Sequence, residues 1–425
     1  MTERPVFITG LGIVSSIGGS AAEVVDSLRM NRHGFANVEF DGIENCPVSV
    51  IGTVDGYSFP SSNYLAWKAP ESCNVPRSLG RSLPPHGMYV FSAIQEALKD
   101  AGLEREELGD GRTGLCASSA GSPYLLKEGL SEMDKHGGTR GNPMGVVSTV
   151  SGTLNFNFGN YLGIRGANCG FVSACSSSAH GIGYAFDEIR LGRQDRMIVL
   201  AGEDLQKETL LPFWAMRALS PAKDPSQASC PFDQRASGFV GSGGGVCLIL
   251  ESGELQERRR AKAYTQILGW GQTSDGFSTM APHPEGEGLV RSMEIALRDA
   301  GSPLESVDYI SSHATSTRNG DLAETRALLE VLATDGGAHR SVPIAATKSL
   351  TGHTLSMAGA LQAAIACLSI REGIIPGNPG LRNPIEEAKS LDLVDSPRSV
   401  AVRKVLSNSS GFGGTCVSLL LGDES

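Results

Sequence analysis

The feature that most limits what this chain can fold into is a pattern that runs twice. Phe239-Val-Gly-Ser-Gly-Gly-Gly-Val-Cys-Leu-Ile-Leu in the first half is matched near the end by Phe412-Gly-Gly-Thr-Cys-Val-Ser-Leu-Leu-Leu: a phenylalanine, small residues, then an apolar strand. Each half also holds a helical pattern that stops at Asp-Ala-Gly, at residues 100–102 and 299–301, before a strand that runs into small hydroxylic residues. Strand and helix patterns alternate throughout, which implies parallel sheets covered by helices. A charged, polar helical segment at 252–262 separates the two runs, so the expected units are residues 1–253 and 254–425. A chain of 425 residues is too long for one minimal domain, which suits two such halves.

Residues 5–18 read as a buried strand entering a glycine-rich turn, and residues 21–30 as a helix. Residues 31–80 carry Ser, Pro, Asn and Gly with little periodicity and read as surface excursions. Val90, Ala93, Ile94, Ala97 and Leu98 fall in helical register, which predicts a helix over 88–102 ended by Gly102. Strands are expected over 112–118, 197–202, 246–251, 264–272 and 307–311, and further helices over 288–301, 321–332 and 354–371. Arg258-Arg259-Arg260 lies in a polar segment and reads as a solvated helix face. Gly10, Gly12 and Gly18 lack the G-x-G-x-x-G spacing, so no dinucleotide site is expected there.

A net charge of −10 argues against broad nucleic-acid binding. No run of about 18 apolar residues occurs, and no basic segment leads an apolar one at the N-terminus. Neither a signal peptide nor a membrane span is therefore expected, and the chain reads as cytoplasmic. The nine cysteines (46, 73, 116, 169, 175, 230, 247, 367 and 416) form no CxxC pair and no zinc-like Cys/His spacing. They read as reduced thiols, and no metal or cofactor is expected.

One of them stands apart. Cys175 is crowded by small residues, and directly after it Ala179, Ile182, Ala185, Phe186 and Ile189 recur at helical spacing. A thiol at a helix N-terminus meets aligned peptide dipoles and free N–H groups that favour the thiolate. Two histidine motifs lie far downstream: Ser311-Ser-His-Ala-Thr-Ser-Thr-Arg-Asn-Gly-Asp-Leu-Ala-Glu324, with His313 just past a strand, and Lys348-Ser-Leu-Thr-Gly-His353, at the start of a long apolar helix. A hydrolase would use one imidazole to activate the thiol. A carbon–carbon bond-forming enzyme would use two imidazoles as donors to a thioester oxygen. The helix dipole would hold His353 neutral, and the turn Gly411-Phe-Gly-Gly414 offers backbone N–H groups for an oxyanion.

Five motifs stand in one order: Ile8-Thr-Gly-Leu-Gly-Ile-Val-Ser-Ser-Ile-Gly18, Ser173-Ala-Cys-Ser-Ser-Ser-Ala-His180, His313-x-Thr-Ser-Thr317, Lys348-x-x-x-Gly-His353 and Gly411-Phe-Gly-Gly-Thr415. Spanning essentially the whole chain, they resemble the β-ketoacyl-[acyl-carrier-protein] synthases of the condensing-enzyme (thiolase-like) superfamily, the synthase I branch most of all. The resemblance implies a thiolase-like α/β fold: two duplicated βαβ halves with mainly parallel sheets in a layered α-β-α-β-α arrangement. It implies a two-step reaction in which Cys175 takes an acyl chain as a thioester. His313 and His353 then stabilise the enolate from decarboxylation of malonyl-carrier protein. Backbone N–H groups of Cys175 and Phe412 would hold the oxyanion, with Phe412 also a gate. Thr315 and Thr317 match hydroxyls that contact the pantetheine arm, and Lys348 the lysine that organises the site, with Glu324 as its charge partner. Read alone, Asp321 and Glu324 form a D-x-x-E capping box. His180, Thr347 and Ser349 read as structural, and Cys169, Cys247 and Cys416 as buried thiols.

The resemblance also implies partners: acyl carrier protein, and a homodimer or a heterodimer with a related ketosynthase-like subunit. An acidic enzyme must offer an acidic carrier a local basic patch, for which position in the resemblance suggests Arg77 and Arg81. Three positions depart from the family pattern: Ala314 for a glycine, Cys416 for an asparagine, and Ser410 for a phenylalanine. Two other readings stay open, a non-catalytic chain-length-factor-like subunit and a thiolase-like enzyme acting on CoA esters without decarboxylation.

Overall fold

The computed structural model describes residues 4–40, 43, 46–137, 141–333 and 340–423. Ten strands build the main sheet. The first half supplies β1 (Val6–Val14), β2 (Thr113–Ser118), β3 (Asn168–Phe171), β4 (Arg196–Glu203) and β5 (Gly244–Ser252). The second supplies β6 (Thr265–Ser274), β7 (Tyr309–Ser311), β8 (Ile344–Ala345), β9 (Lys404–Gly411) and β10 (Thr415–Gly422). Their order across the sheet is β8-β7-β9-β10-β6-β1-β5-β4-β2-β3.

The repeat seen in the sequence is a repeat of topology. Counting strands within each half, both run in the order 3-2-4-5-1. In each, the last strand is antiparallel to both its neighbours and the other four share one direction. Among the described residues the two sets pair as strands where Val6, Phe7 and Ile8 lie opposite Ile267, Gln266 and Thr265. The antiparallel strand at the end of the chain has a local cause. β9 and β10 are a hairpin joined by the tight turn at 412–414, whereas parallel neighbours need a longer crossover.

Five helices matter for the layering: α1 (Pro85–Ala101), α2 (Ser177–Arg190), α3 (Glu287–Asp299), α4 (Arg318–Leu332) and α5 (Ala358–Glu372). α1 covers β1 and β5 from outside, and α3 covers β6 and β10. Between the two sets of strands lie α2, against β2 and β4, and α5, against β9, packed on one another. This is the expected α-β-α-β-α sandwich. α5 is buried at every position from Ala358 to Ser369, as its all-round apolar sequence requires.

The glycines of the first motif do packing work. A Cβ at Gly10 would lie 2.8 Å from the Ala97 oxygen, and one at Gly12 would collide with the Ala93 carbonyl, both on α1. Gly269 and Gly271 of β6 stand in the same relation to Ala296 and Ser292 of α3. Each half thus carries a Gly-x-Gly pair in its first strand that admits its outer helix to backbone contact.

Three expectations need correction. Residues 31–80 are not merely surface: Phe35–Asn37 pairs with Val50–Gly52, and Val48, Val50 and Ile51 are buried. The elements are too short to show periodicity. Arg259 is not a solvated face residue, because it turns inward to Glu251, whose buried carboxylate also binds Arg196. Helix 321–332 begins earlier, at Arg318. Among the described residues no helix is long and apolar enough to cross a membrane.

Replacing Gly12 by alanine is expected to cost about 1–3 kcal/mol through overpacking. Gly129, inside the helix Pro123–His136, has nothing within 4 Å of where a Cβ would stand. Alanine there is expected to stabilise by about 0.5–1 kcal/mol. Denaturant midpoints of the two variants should move in opposite directions.

Candidate active site

Between β3 and α2 the chain makes a tight elbow. Ala174 adopts φ +51°, a conformation that costs a non-glycine residue about 1–3 kcal/mol. Small hydroxyls hold it there. Ser173 N–H donates to Ser177 Oγ at 2.8 Å, Ser177 Oγ donates to the Ala174 oxygen at 2.6 Å, and Ser176 Oγ to the Ser173 oxygen at 2.8 Å. Nδ1 of His180 lies 2.8 Å from Ser173 Oγ, the structural role expected of it. Cys175, at the apex, is 9% exposed.

The expected thiolate is not the resting form. Burial pushes the Cys175 thiol up to about 12, with the Lys348 charge pulling it down and Glu203 pushing it further up. Desolvation outweighs the helix end, which begins two residues later at Ser177. What the thiol does have is a base: Nε2 of His353 lies 3.1 Å from Sγ.

His353 does not sit at the start of the long helix. It lies between the short helix Lys348–Thr351 and α5, where its N–H donates to the Val240 oxygen at 2.7 Å and its carbonyl accepts from Ser242 at 3.0 Å. It is neutral as expected, for a different reason: burial, reinforced by the Lys348 charge, holds it well below the usual histidine range. His313, two residues past β7, is likewise held far down by burial, then by Lys348 and His353. The two rings are perpendicular, with centroids 5.6 Å apart.

Lys348 is 3% exposed and lies behind His313, its Nζ 3.5 Å from Nδ1 of that ring. Its hydrogen bond goes to Gln362 Oε1 on α5, at 2.8 Å. Glu324 is the strongest of the charges acting on Lys348, but without a contact between the two side chains. Glu324 instead accepts the His313 N–H at 2.8 Å, and its charge reaches Lys348 only through space. Asp321 and Glu324 form no capping box, since α4 starts before them. Asp321 accepts the N–H groups of Thr315 and Ser316 at 3.0 and 3.1 Å and that of Phe232 at 2.9 Å, fixing the loop after His313.

The turn at 411–414 lies on the elbow. A Cβ at Gly411 would stand 2.8 Å from the Ser173 oxygen and 3.0 Å from the Cys175 nitrogen. Phe412, 37% exposed, begins a row of rings: Phe213 at 6.1 Å, Phe239 at 5.4 Å from that, and His353 at 5.0 Å from Phe239. A cavity of about 940 Å³ is lined by Cys175, His313, His353, Phe412, Thr315 and Thr317, among others. The two threonine hydroxyls are 2.9 Å apart.

Of the departures, Ser410 and Cys416 line the cavity with Sγ 3.8 Å from Oγ, and Ala314 is buried beside His313. Cys247 is buried as expected, but Cys169 is only half-buried on the edge strand β3. Arg77 and Arg81 lie on the surface at the short helix Arg77–Gly80, outside the cavity lining. Sequence reasoning missed Gln362, Phe213 and Phe239. Among the described residues no group of three or more His, Cys, Asp or Glu is placed to hold a metal ion.

Residues 3–255 match the β-ketoacyl synthase N-terminal domain and residues 264–382 its C-terminal domain. The chain is 35% identical to 3-oxoacyl-[acyl-carrier-protein] synthase 1 of Escherichia coli K12, over 97% of this chain and 98% of that one. A β-ketoacyl synthase from Burkholderia phymatum superposes with a TM-score of 0.89 at 28% identity, covering 99% of both chains. The ishigamide ketosynthase/chain length factor does so with a TM-score of 0.86 at 27% identity, covering 100% of both. Its matched length, its duplicated fold and the company kept by Cys175 make this chain a member of the β-ketoacyl synthase family.

Proposed function

We propose that the chain performs a decarboxylating condensation with Cys175 as nucleophile, in fatty-acid or polyketide synthesis. The observation that carries this reading is the sulfur 3.1 Å from Nε2 of one neutral histidine, with a second neutral histidine ring 5.6 Å from the first. In the first step Sγ attacks the carbonyl of an acyl thioester on a carrier protein. The thiol proton is taken up at His353 and leaves with the carrier thiol. Backbone N–H groups of Cys175 and Phe412 stabilise the tetrahedral oxyanion.

In the second step malonyl-carrier protein enters along the cavity, with its pantetheine arm against Thr315 and Thr317 and Phe412 gating the passage. Lys348 at Nδ1 of His313 leaves the ring proton on Nε2, facing the substrate. His313 and His353 donate to the thioester oxygen from Nε2–H; for His353 this follows exchange of the Nδ1 proton for one on Nε2 through solvent admitted as the carrier thiol leaves. Carbon dioxide departs, the electron pair of the broken bond becomes the enolate, and its carbon attacks the acyl-Cys175 thioester. The Cys175 sulfur leaves as a thiolate and takes up a proton from solvent, the one proton the condensation consumes, and 3-ketoacyl-carrier protein is released. Glu324, bonded to the His313 backbone, is a positioning residue.

We also propose residues 1–253 and 254–425 as the two units, one giving the nucleophile and the other both histidines. Pairing with a second subunit is supported by an open sheet edge at β3 and by apolar side chains beside it. Val172 is 65% exposed and Phe156 55%, and the helix Pro123–His136 buries none of its side chains. Even a short edge strand such as β3, four residues long, leaves backbone N–H and C=O groups open to another chain. Arg77 and Arg81 are the proposed docking cations for the carrier.

Cys175→Ala is expected to abolish acylation by acyl-carrier protein, read by intact mass; an undiminished adduct would exclude Cys175. Either His313→Ala or His353→Ala should cut CO₂ release from malonyl-carrier protein by about a hundredfold or more, and unchanged release in both would remove the enolate role. Val172→Arg should shift the light-scattering mass of the purified protein from two subunits towards one. Arg77→Glu with Arg81→Glu should raise KM for the carrier substrate with kcat little changed, and the salt dependence of kcat/KM should flatten.

A further inference from the structure

Lys348 is a buried cation beside His313 whose charge also reaches His353, and what faces it is unusual for a buried ammonium. Its nearest partner is the amide oxygen of Gln362, a neutral group, at 2.8 Å. That orientation is fixed from the other end of the amide. Nε2 of Gln362 donates to the Ser312 oxygen at 3.0 Å and to the Asn408 oxygen at 3.1 Å, and also lies 3.3 Å from Ser311 Oγ. Flipping the amide would set its oxygen against two carbonyl oxygens and its NH₂ against the ammonium. Gln362 is therefore locked, 2% exposed, with its acceptor aimed at Nζ.

No carboxylate touches Lys348 among the described residues. Glu324 and Asp321 on α4 and Cys175 at the elbow act on it only through space, and His313 and His353 are neutral. Burial dominates and brings the ammonium down to about 8. A buried lysine with a carboxylate in van der Waals contact would hold its proton far more tightly.

We propose that Gln362 is a positioning residue, holding Lys348 against Nδ1 of His313 without neutralising it, so that the strength of His313 as a donor follows the ionisation of Lys348. This rests on the function proposed above and adds to it the group that sets the alkaline limit of the site. With Lys348 charged, Nδ1 of His313 receives a charge-assisted donor and its Nε2–H is the better hydrogen-bond donor. As pH rises through the lysine's range the ammonium gives its proton to solvent. His313 then weakens and the Cys175 thiol loses its cation.

The test compares wild type, Gln362→Glu and Gln362→Met by two readouts over pH 6 to about 9.5: CO₂ release from malonyl-carrier protein, and alkylation of Cys175 by iodoacetamide followed by intact mass. In wild type, CO₂ release should fall on the alkaline side, and alkylation should rise less than tenfold per pH unit over the same range. In Gln362→Glu both breaks should move to higher pH by a unit or more, and in Gln362→Met to lower pH. Breaks at the same pH in all three folded proteins would overturn the proposal. Alkylation does not depend on the condensation. Breaks that move while wild type releases no CO₂ would therefore sink the functional reading and leave the role of Gln362 standing.

Discussion

The site exists because two helices from different halves of the chain approach to backbone contact. A Cβ at Gly359 of α5 would lie 2.7 Å from both the backbone nitrogen and the Cβ of Ala179 on α2, so only glycine fits. Next to it the Ala360 N–H donates to Ser178 Oγ at 2.9 Å. Both residues are in the first turns of their helices. The contact therefore brings two helix starts together, and with them the segments that lead in: the elbow carrying Cys175 and the loop carrying His353. The covering sheets and the outer helices α1 and α3 hold this junction in place. A side chain at 359 would part the helices and, with them, sulfur from imidazole.

Once the junction is closed, one charge in a dry pocket orders the electrostatics. Desolvation is the largest influence on Cys175, His313, His353 and Lys348 alike, and it drives each towards its uncharged form. For the histidines this is what donation to an enolate requires. For the thiol it is a handicap, met by a base at 3.1 Å and by the Lys348 cation. A carboxylate in contact with Lys348 would quench that cation. The amide of Gln362 is a middle solution that a buried polar network permits because its oxygen and its NH₂ group both have partners.

Much of the fold and most of the site were legible in the sequence, for the same reason: their signals are local. Alternating apolar segments revealed the strands and helices, and Cys175, His313, His353 and Phe412 each sit in a short connection of small residues whose composition betrays it, with Lys348 opening the short helix just before His353. What stayed hidden depends on contacts across the chain. Gln362 lies in an otherwise apolar helix, where one amide looks like a tolerated polar residue, and only folding brings it to Lys348, Ser312 and Asn408. Asp321 and Glu324 mimic a capping box because spacing does not show that α4 begins at Arg318. The state of Cys175 was misjudged since a sequence displays the helix that follows a thiol but not how much water is excluded from it.

The duplication explains why the chemistry divides as it does. Each half has a central helix approached by a strained or tightly held segment: 173–176 before α2, with Ala174 at φ +51°, and 352–357 before α5, with Leu355 at φ +46°. The two segments occupy corresponding places and face one another across the helix junction. One presents a sulfur, the other an imidazole, so a repeated scaffold yields two unlike groups at hydrogen-bonding distance. The second half also contributes the loop after β7, with His313, and the hairpin turn after β9, with Phe412. The counterpart of the His313 loop in the first half leads elsewhere: residues 119–122, after β2, bind the buried acids Glu203 and Asp204 through Ala120 N–H and Ser122 Oγ. Asymmetry in the loops, on a frame that repeats, brings a thiol from one half and two imidazoles from the other to a single cavity.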